Sequence, residues 1–95
     1  MAEYRFLATA LAELEDAMDW YAARSATALK RFAEDVESTL ATIETSPNQY
    51  PLVDDRHRQA ILKKFPYFIA FRMIGKHPLI VTIRHTSRDK KPFEG

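Results

Sequence analysis

Cysteine is absent from the 95 residues, which removes disulfides, thiolate nucleophiles and cysteine-held zinc or iron–sulfur sites together. A chain without thiols suits a reducing compartment, and the expectation is a cytoplasmic protein. Glycine is scarce, with two residues, and aromatics make up 12%; that composition argues against disorder. No apolar run approaches the length that crosses a bilayer. Met1 to Leu14 carries Glu3, Arg5 and Glu13 where a leader would need an unbroken apolar stretch, so neither export nor membrane insertion is expected. Repeats and low-complexity segments are missing as well. With 46% hydrophobic residues, the length fits one domain over 1–95 with a single core.

Metal chemistry is also disfavoured. His57, His77 and His85 are spaced by twenty and eight, with no carboxylate beside them in a ligand pattern, so no metal and no cofactor is expected. Acidic residues are missing altogether between Arg56 and Arg88. Net charge is only +1, but residues 1–46 hold 4 Lys/Arg against 9 Asp/Glu while residues 47–95 hold 10 against 4. The basic charge is concentrated in the second half, which points towards an anionic partner.

What is present reads as six elements. Tyr4 and Phe6 alternate in a short strand. Thr9 offers a hydroxyl N-cap for a helix in which Leu11, Leu14, Met18 and Tyr21 share a face. Ser25 caps a second helix with Leu29, Phe32, Val36, Leu40 and Ile43 on its stripe, ending near Ser46-Pro47. The short link around Arg24-Ser25 folds the two into an antiparallel hairpin. Past a Pro-bounded loop the period becomes two: Arg58, Ala60 and Leu62 face one way, Gln59, Ile61 and Lys63 the other. Pro66 marks a bulge or break before a strand from Tyr67 to Ile74. Gly75-Lys76-His77-Pro78 then turns the chain into Leu79–Arg84. The predicted fold is α+β: an N-terminal strand, an α-helical hairpin, then a three-stranded antiparallel meander, with the helices packed on one face of the sheet.

Several residues carry both a structural and a functional reading. Arg72 interrupts an apolar strand, as a solvated sheet face often does. Lysine pairs such as Lys63-Lys64 at a strand end often only blunt the edge, and a nucleic-acid role requires a three-dimensional basic patch. Trp20 and Tyr21 are adjacent on a helix and point to different sides. Tyr21 is expected in the core; Trp20 lies under a loop or on a partner surface, with core packing favoured over nucleotide stacking. The tail from Arg88 to Gly95 is basic and broken by Pro92, and reads as mobile, tipped by an exposed Phe93.

The run from Leu14-Glu15-Asp16 to Trp20-Tyr21-Ala22, then Arg31-Phe32, Ser46-Pro47, Arg58 through Ile69, and the ending Ile83-Arg84-His85-Thr86-Ser87-Arg88 together resemble the ParE/RelE toxin superfamily over nearly the whole chain. The resemblance implies the toxin of a type II toxin–antitoxin system that stabilises plasmids or genomic islands. It further implies a cognate antitoxin and a toxin–antitoxin hetero-oligomer. RelE-like members cut messenger RNA on the ribosome, whereas ParE-like members poison DNA gyrase. Metal-free RNA cleavage needs a proton acceptor, cations for the phosphorane and an acid for the leaving oxygen. If the chain were such a ribonuclease, Arg72, Arg84, His85 and Arg88 would carry that chemistry. Nuclease members often end with a Tyr or use a Glu among basic sheet residues, and neither stands at the corresponding place here.

In ParE-like relatives a His, an Arg, a Pro and an aromatic commonly follow the last strand, and His85, Arg88, Pro92 and Phe93 resemble that order. Lys90 and Lys91 are extra, and Phe93 replaces the usual Trp. The expected function is therefore growth inhibition through DNA gyrase, without enzymatic activity of the chain's own. Target-binding candidates are Lys63, Arg72, Arg84, His85, Arg88, Lys90, Lys91 and Phe93. The alternatives are a ribosome-dependent mRNA endonuclease and an inactive relative that only binds antitoxin.

Overall fold

In the computed structural model, residues 4–88 and Phe93 are described. The chain runs β1 (Arg5–Phe6), α1 (Ala8–Ala22), α2 (Ala26–Thr45), a 3-10 turn at Pro47–Gln49, β2 (Arg58–Ile61), β3 (Tyr67–Ile74), β4 (His77–His85) and a 3-10 turn at Thr86–Arg88. The sheet order is β1-β4-β3-β2. β1 lies parallel to β4, and the other two pairings are antiparallel. The α+β architecture follows the sequence reading.

The helical hairpin forms with one cap as expected and one not. Ser25 accepts a hydrogen bond from the Ala28 amide at 3.1 Å, ending one helix and opening the next. Thr9 does not cap α1. The helix starts a residue before it, after Leu7, with no side-chain cap. Leu7 is still extended because its amide donates to the Ile80 carbonyl at 2.9 Å, so the chain passes from sheet to helix in one step.

The stripe of α1 also departs from expectation. Leu11 is 46% exposed, while Ala10 and Ala17 are buried. The helix meets the sheet through alanines, whose short side chains allow close approach, and Leu14, Met18 and Tyr21 flank that seam half-buried. On α2, Phe32, Val36, Leu40 and Ile43 are buried as the spacing predicts. Leu29 is half-buried.

Asp35 is buried beside them and accepts the backbone amides of Lys63 and Lys64 at 3.3 and 2.8 Å. A helix carboxylate thus supplies the acceptor for the turn between β2 and β3.

That turn holds Pro66. The sheet's irregularity lies instead between Ala70 and Phe71, where Val81 is the extra residue on β4. The β3–β4 connection is tighter than the predicted four residues, since His77 and Pro78 already pair with Ile74 and Met73. Gly75, at φ +61°, makes that tight turn possible.

Register sorts the sheet into two faces. Ala60, Ile69, Phe71, Ile80 and Ile83 pack against the helices. Ile61, Phe68 and Arg84 lie in one row across the opposite face, and Gln59, Ala70 and Thr82 in the next.

Candidate functional site

The strand ends bring several of the expected residues together. The Thr86 amide donates to the Pro66 carbonyl at 2.9 Å, which seats the turn after β4 beside the turn after β2. Exposed Lys63 and Lys64 and half-buried His85 therefore share one end of the sheet. Arg72 does not join them. It sits opposite Leu79, towards the β3–β4 hairpin, and its Nε is buried without a hydrogen-bond partner. Lys90, Lys91 and the side chain of Arg88 lie outside the described residues.

Arg84 and His85 are consecutive on a strand and so project to opposite faces. Arg84 is only 7% exposed. Its Nε donates to Thr82 Oγ1 at 3.0 Å, and that hydroxyl donates to Glu13 Oε1 at 2.7 Å. The Ile83 amide donates to the same carboxylate oxygen at 3.2 Å. β1 pairs with β4 only at Leu79 and Ile80. Glu13 of α1 therefore satisfies a strand edge that β1 is too short to cover.

On the face away from the helices, Phe93 folds back over the sheet. The Arg84 guanidinium lies 4.9 Å from the Phe93 ring centroid. The same ring is 5.3 Å from the His57 ring and 6.3 Å from Phe68. Phe93 is thus half-buried rather than an exposed tip. A half-buried ring with one cation–π contact contributes on the order of 2 kcal/mol.

His57 was absent from the sequence candidates, yet it is 3% exposed and its Nδ1 lies 2.8 Å from Asp54 Oδ2. Asp54 also accepts the amides of Arg56 and His57 at 2.9 and 2.7 Å. The Arg56 amide first, then that of His57, hold the Asp54 carboxyl down at about 2. The Asp54–His57 spacing is the only sequence signal for this pair.

On the helix-bearing face, a groove of about 560 Å³ separates α1 from the end of β4, with Glu13, Asp16, Trp20, Tyr21, Tyr67 and His85 among its walls. Tyr21 stacks on Phe32 at 4.8 Å and meets Phe65 edge-on at 5.1 Å. Burial pushes the Tyr21 hydroxyl up, and the neighbouring Tyr67 adds to this. The His85 ring is 5.3 Å from Tyr67, and its Nδ1 lies 2.9 Å from Ser87 Oγ.

Trp20 is not packed in the core. It is 50% exposed at the groove rim, with the Arg24 guanidinium 3.4 Å above its ring. Among the described residues, no group of three His, Cys, Asp or Glu is arranged to hold a metal ion. No described helix is long and apolar enough to cross a membrane.

Over residues 4–90 the sequence matches the family described as ParE toxin of type II toxin-antitoxin system, parDE. Among solved structures it is similar to the chromosomal ParDE TA system from P. aeruginosa, with a TM-score of 0.74 and 24% identity, covering 90% of this chain and 96% of that one. At that identity the likeness is one of fold. No match is found among curated proteins. The family match begins in the segment that leads into β1 and continues beyond the turn after β4, so it takes in every described element; this chain belongs to the ParE toxin family of type II toxin–antitoxin systems.

Proposed function

We propose that the chain inhibits growth by acting on DNA gyrase, and that a cognate antitoxin silences it by covering the aromatic and charged surface around the end of β4. The observation that carries this reading, beyond family membership, is the failure of the ribonuclease candidates to converge. Arg72 and Arg84 lie on the helix-free face, two rows of side chains apart with Ala70 and Thr82 between them, and His85 turns to the other face against Tyr67. A general acid or base must reach the same phosphate that the cations stabilise. Arg84 is moreover committed to Thr82 and to the Phe93 ring.

Binding a large partner asks less of the geometry. Lys63, Lys64 and His85 form a rim at one end of the sheet, and target contact is assigned to them. Arg88, Lys90 and Lys91 add to the basic charge of the sequence that follows β4. Such a surface steers association with an anionic assembly and depends on salt.

The test titrates purified toxin into a gyrase supercoiling reaction on relaxed plasmid, with antitoxin-bound toxin as control. The expected result is lost supercoiling with trapped linear DNA. No effect from a preparation that still arrests growth overturns the gyrase reading and makes RNA cleavage on the ribosome the activity to assay.

A further inference from the structure

We propose that the helix-free face carries a second anionic contact at the β3–β4 hairpin end of the sheet, where Arg5 and Arg72 straddle Leu79 and hold the phosphate backbone of DNA. Leu79 pairs with Arg5 of β1 on one side and with Arg72 of β3 on the other, so the three side chains form one row across that face. Two strand spacings set the arginine Cα atoms about 10 Å apart. Lys76 lies exposed in the β3–β4 turn at the same end. Lys63, Lys64 and His85 stand at the other end of the sheet, so the row is separate from the rim assigned above.

The chemistry of the row suits phosphate. None of the four described strands contains Asp or Glu, so no strand carboxylate neutralises it. The Arg72 Nε is buried and has no hydrogen-bond partner among the described residues. A buried donor is rarely left unpaired. Arg72 as a whole is only half-buried, and on binding its side chain turns to present that donor to an arriving oxygen. A guanidinium fork matches the paired oxygens of a phosphate.

The row holds no aromatic ring on which a base could stack, so the contact is with the backbone and independent of base sequence. The same lack argues against a protein ligand. Protein interfaces are anchored by aromatic side chains in packed pockets, whereas regularly repeated phosphates suit cations spread over a flat face. The contact goes beyond the gyrase reading and does not rest on it, because duplex binding is measured without gyrase.

Two measurements on the full chain test it. In the first, the toxin alone is titrated into a short labelled DNA duplex, and anisotropy is followed from about 50 to 200 mM salt. Binding is expected to weaken with salt and to be equal for two unrelated sequences. Each arginine replaced by Ala should make the slope of log affinity against log salt shallower by about 0.9, and Arg5→Ala with Arg72→Ala should weaken binding at least about tenfold. Lys30→Ala, on exposed α2 surface, should leave the slope unchanged. Far-UV circular dichroism checks the fold, and if Arg72→Ala does not fold, Arg5→Ala alone carries the comparison. No binding at the low-salt end, an unaltered slope in the folded arginine variants, or tighter binding of an acidic peptide of equal charge overturns the proposal.

The second follows the arginine Nε–H signals by ¹⁵N NMR. Adding the duplex should move the Arg72 signal downfield, while that of Arg58, whose guanidinium already donates to the Tyr50 carbonyl, stays in place. A stationary Arg72 signal with the duplex bound sinks the assignment.

Discussion

The two faces of the sheet are closed by different means. Against the helices, Phe32, Val36, Leu40 and Ile43 from α2 interlock with Ile69, Phe71, Ile80 and Ile83 from the strands, and each ring has several apolar neighbours. Phe32 alone meets Tyr21, Phe65 and Tyr67 within 5.4 Å. On the opposite face, among the described residues, the Phe93 ring lies 6.3 Å from Phe68, with His57 and Arg84 also against it. The first arrangement carries stability. The second brings ring and polar contacts together in place of interlocked aliphatic side chains.

Truncating one ring on each face puts that contrast to measurement. Phe32→Ala removes a fully buried ring from a packed cluster and should cost about 4 kcal/mol by urea unfolding. Phe68→Ala also removes a fully buried ring, but the ring beside it can settle into the space, so the expected cost is about 2.5 kcal/mol. Equal losses would mean that the helix-free face is packed as rigidly as the core. A third substitution acts through polar satisfaction. Asp35→Ala leaves the Lys63 and Lys64 amides without their acceptor, and should cost about 2 kcal/mol. Asp35→Asn, which keeps one acceptor oxygen, should recover part of it in the same unfolding experiment.

These positions also separate what the sequence makes legible from what it does not. β3 is read at its true bounds because an aromatic and branched run lies between Pro66 and Gly75, two residues that cannot continue it. The stripe of α2 is equally plain, since large apolar side chains stand out against charged neighbours. On α1 the signal misleads, because alanine has little hydropathy contrast and the helix packs through Ala10 and Ala17, leaving Leu11 outside.

The candidate site is less legible than the fold, because its partnerships are long-range. Nothing near Arg84 in the sequence says that Phe93 will lie over it, or that Glu13, some 70 residues away, will hold Thr82 and Ile83. Arg72 and Arg84 look equivalent as strand cations, yet one has a buried Nε without a partner and the other is hydrogen-bonded under a ring. Lys63 meets the end of β4 only because the β3 and β4 lengths bring Thr86 to Pro66.

The smallest expected effect concerns acid, and it discriminates between the faces by chemistry instead of size. Asp54 titrates at about 2 in the folded chain against an ordinary 3.8, held down first by the Arg56 amide and then by that of His57. A carboxyl lowered on folding adds stability that is complete above its unfolded value and is lost as pH falls through its folded one. The window is therefore pH 4 to pH 2. Asp54→Asn keeps an acceptor for the two amides but removes the charge beside His57. The stability of the two chains should differ by a constant amount above that window and converge inside it, as followed by urea midpoints at half-unit pH steps. The Asp54 carboxylate is exposed, so added salt should shrink the difference. Acid curves that coincide throughout would show that His57 keeps its place without the Asp54 charge.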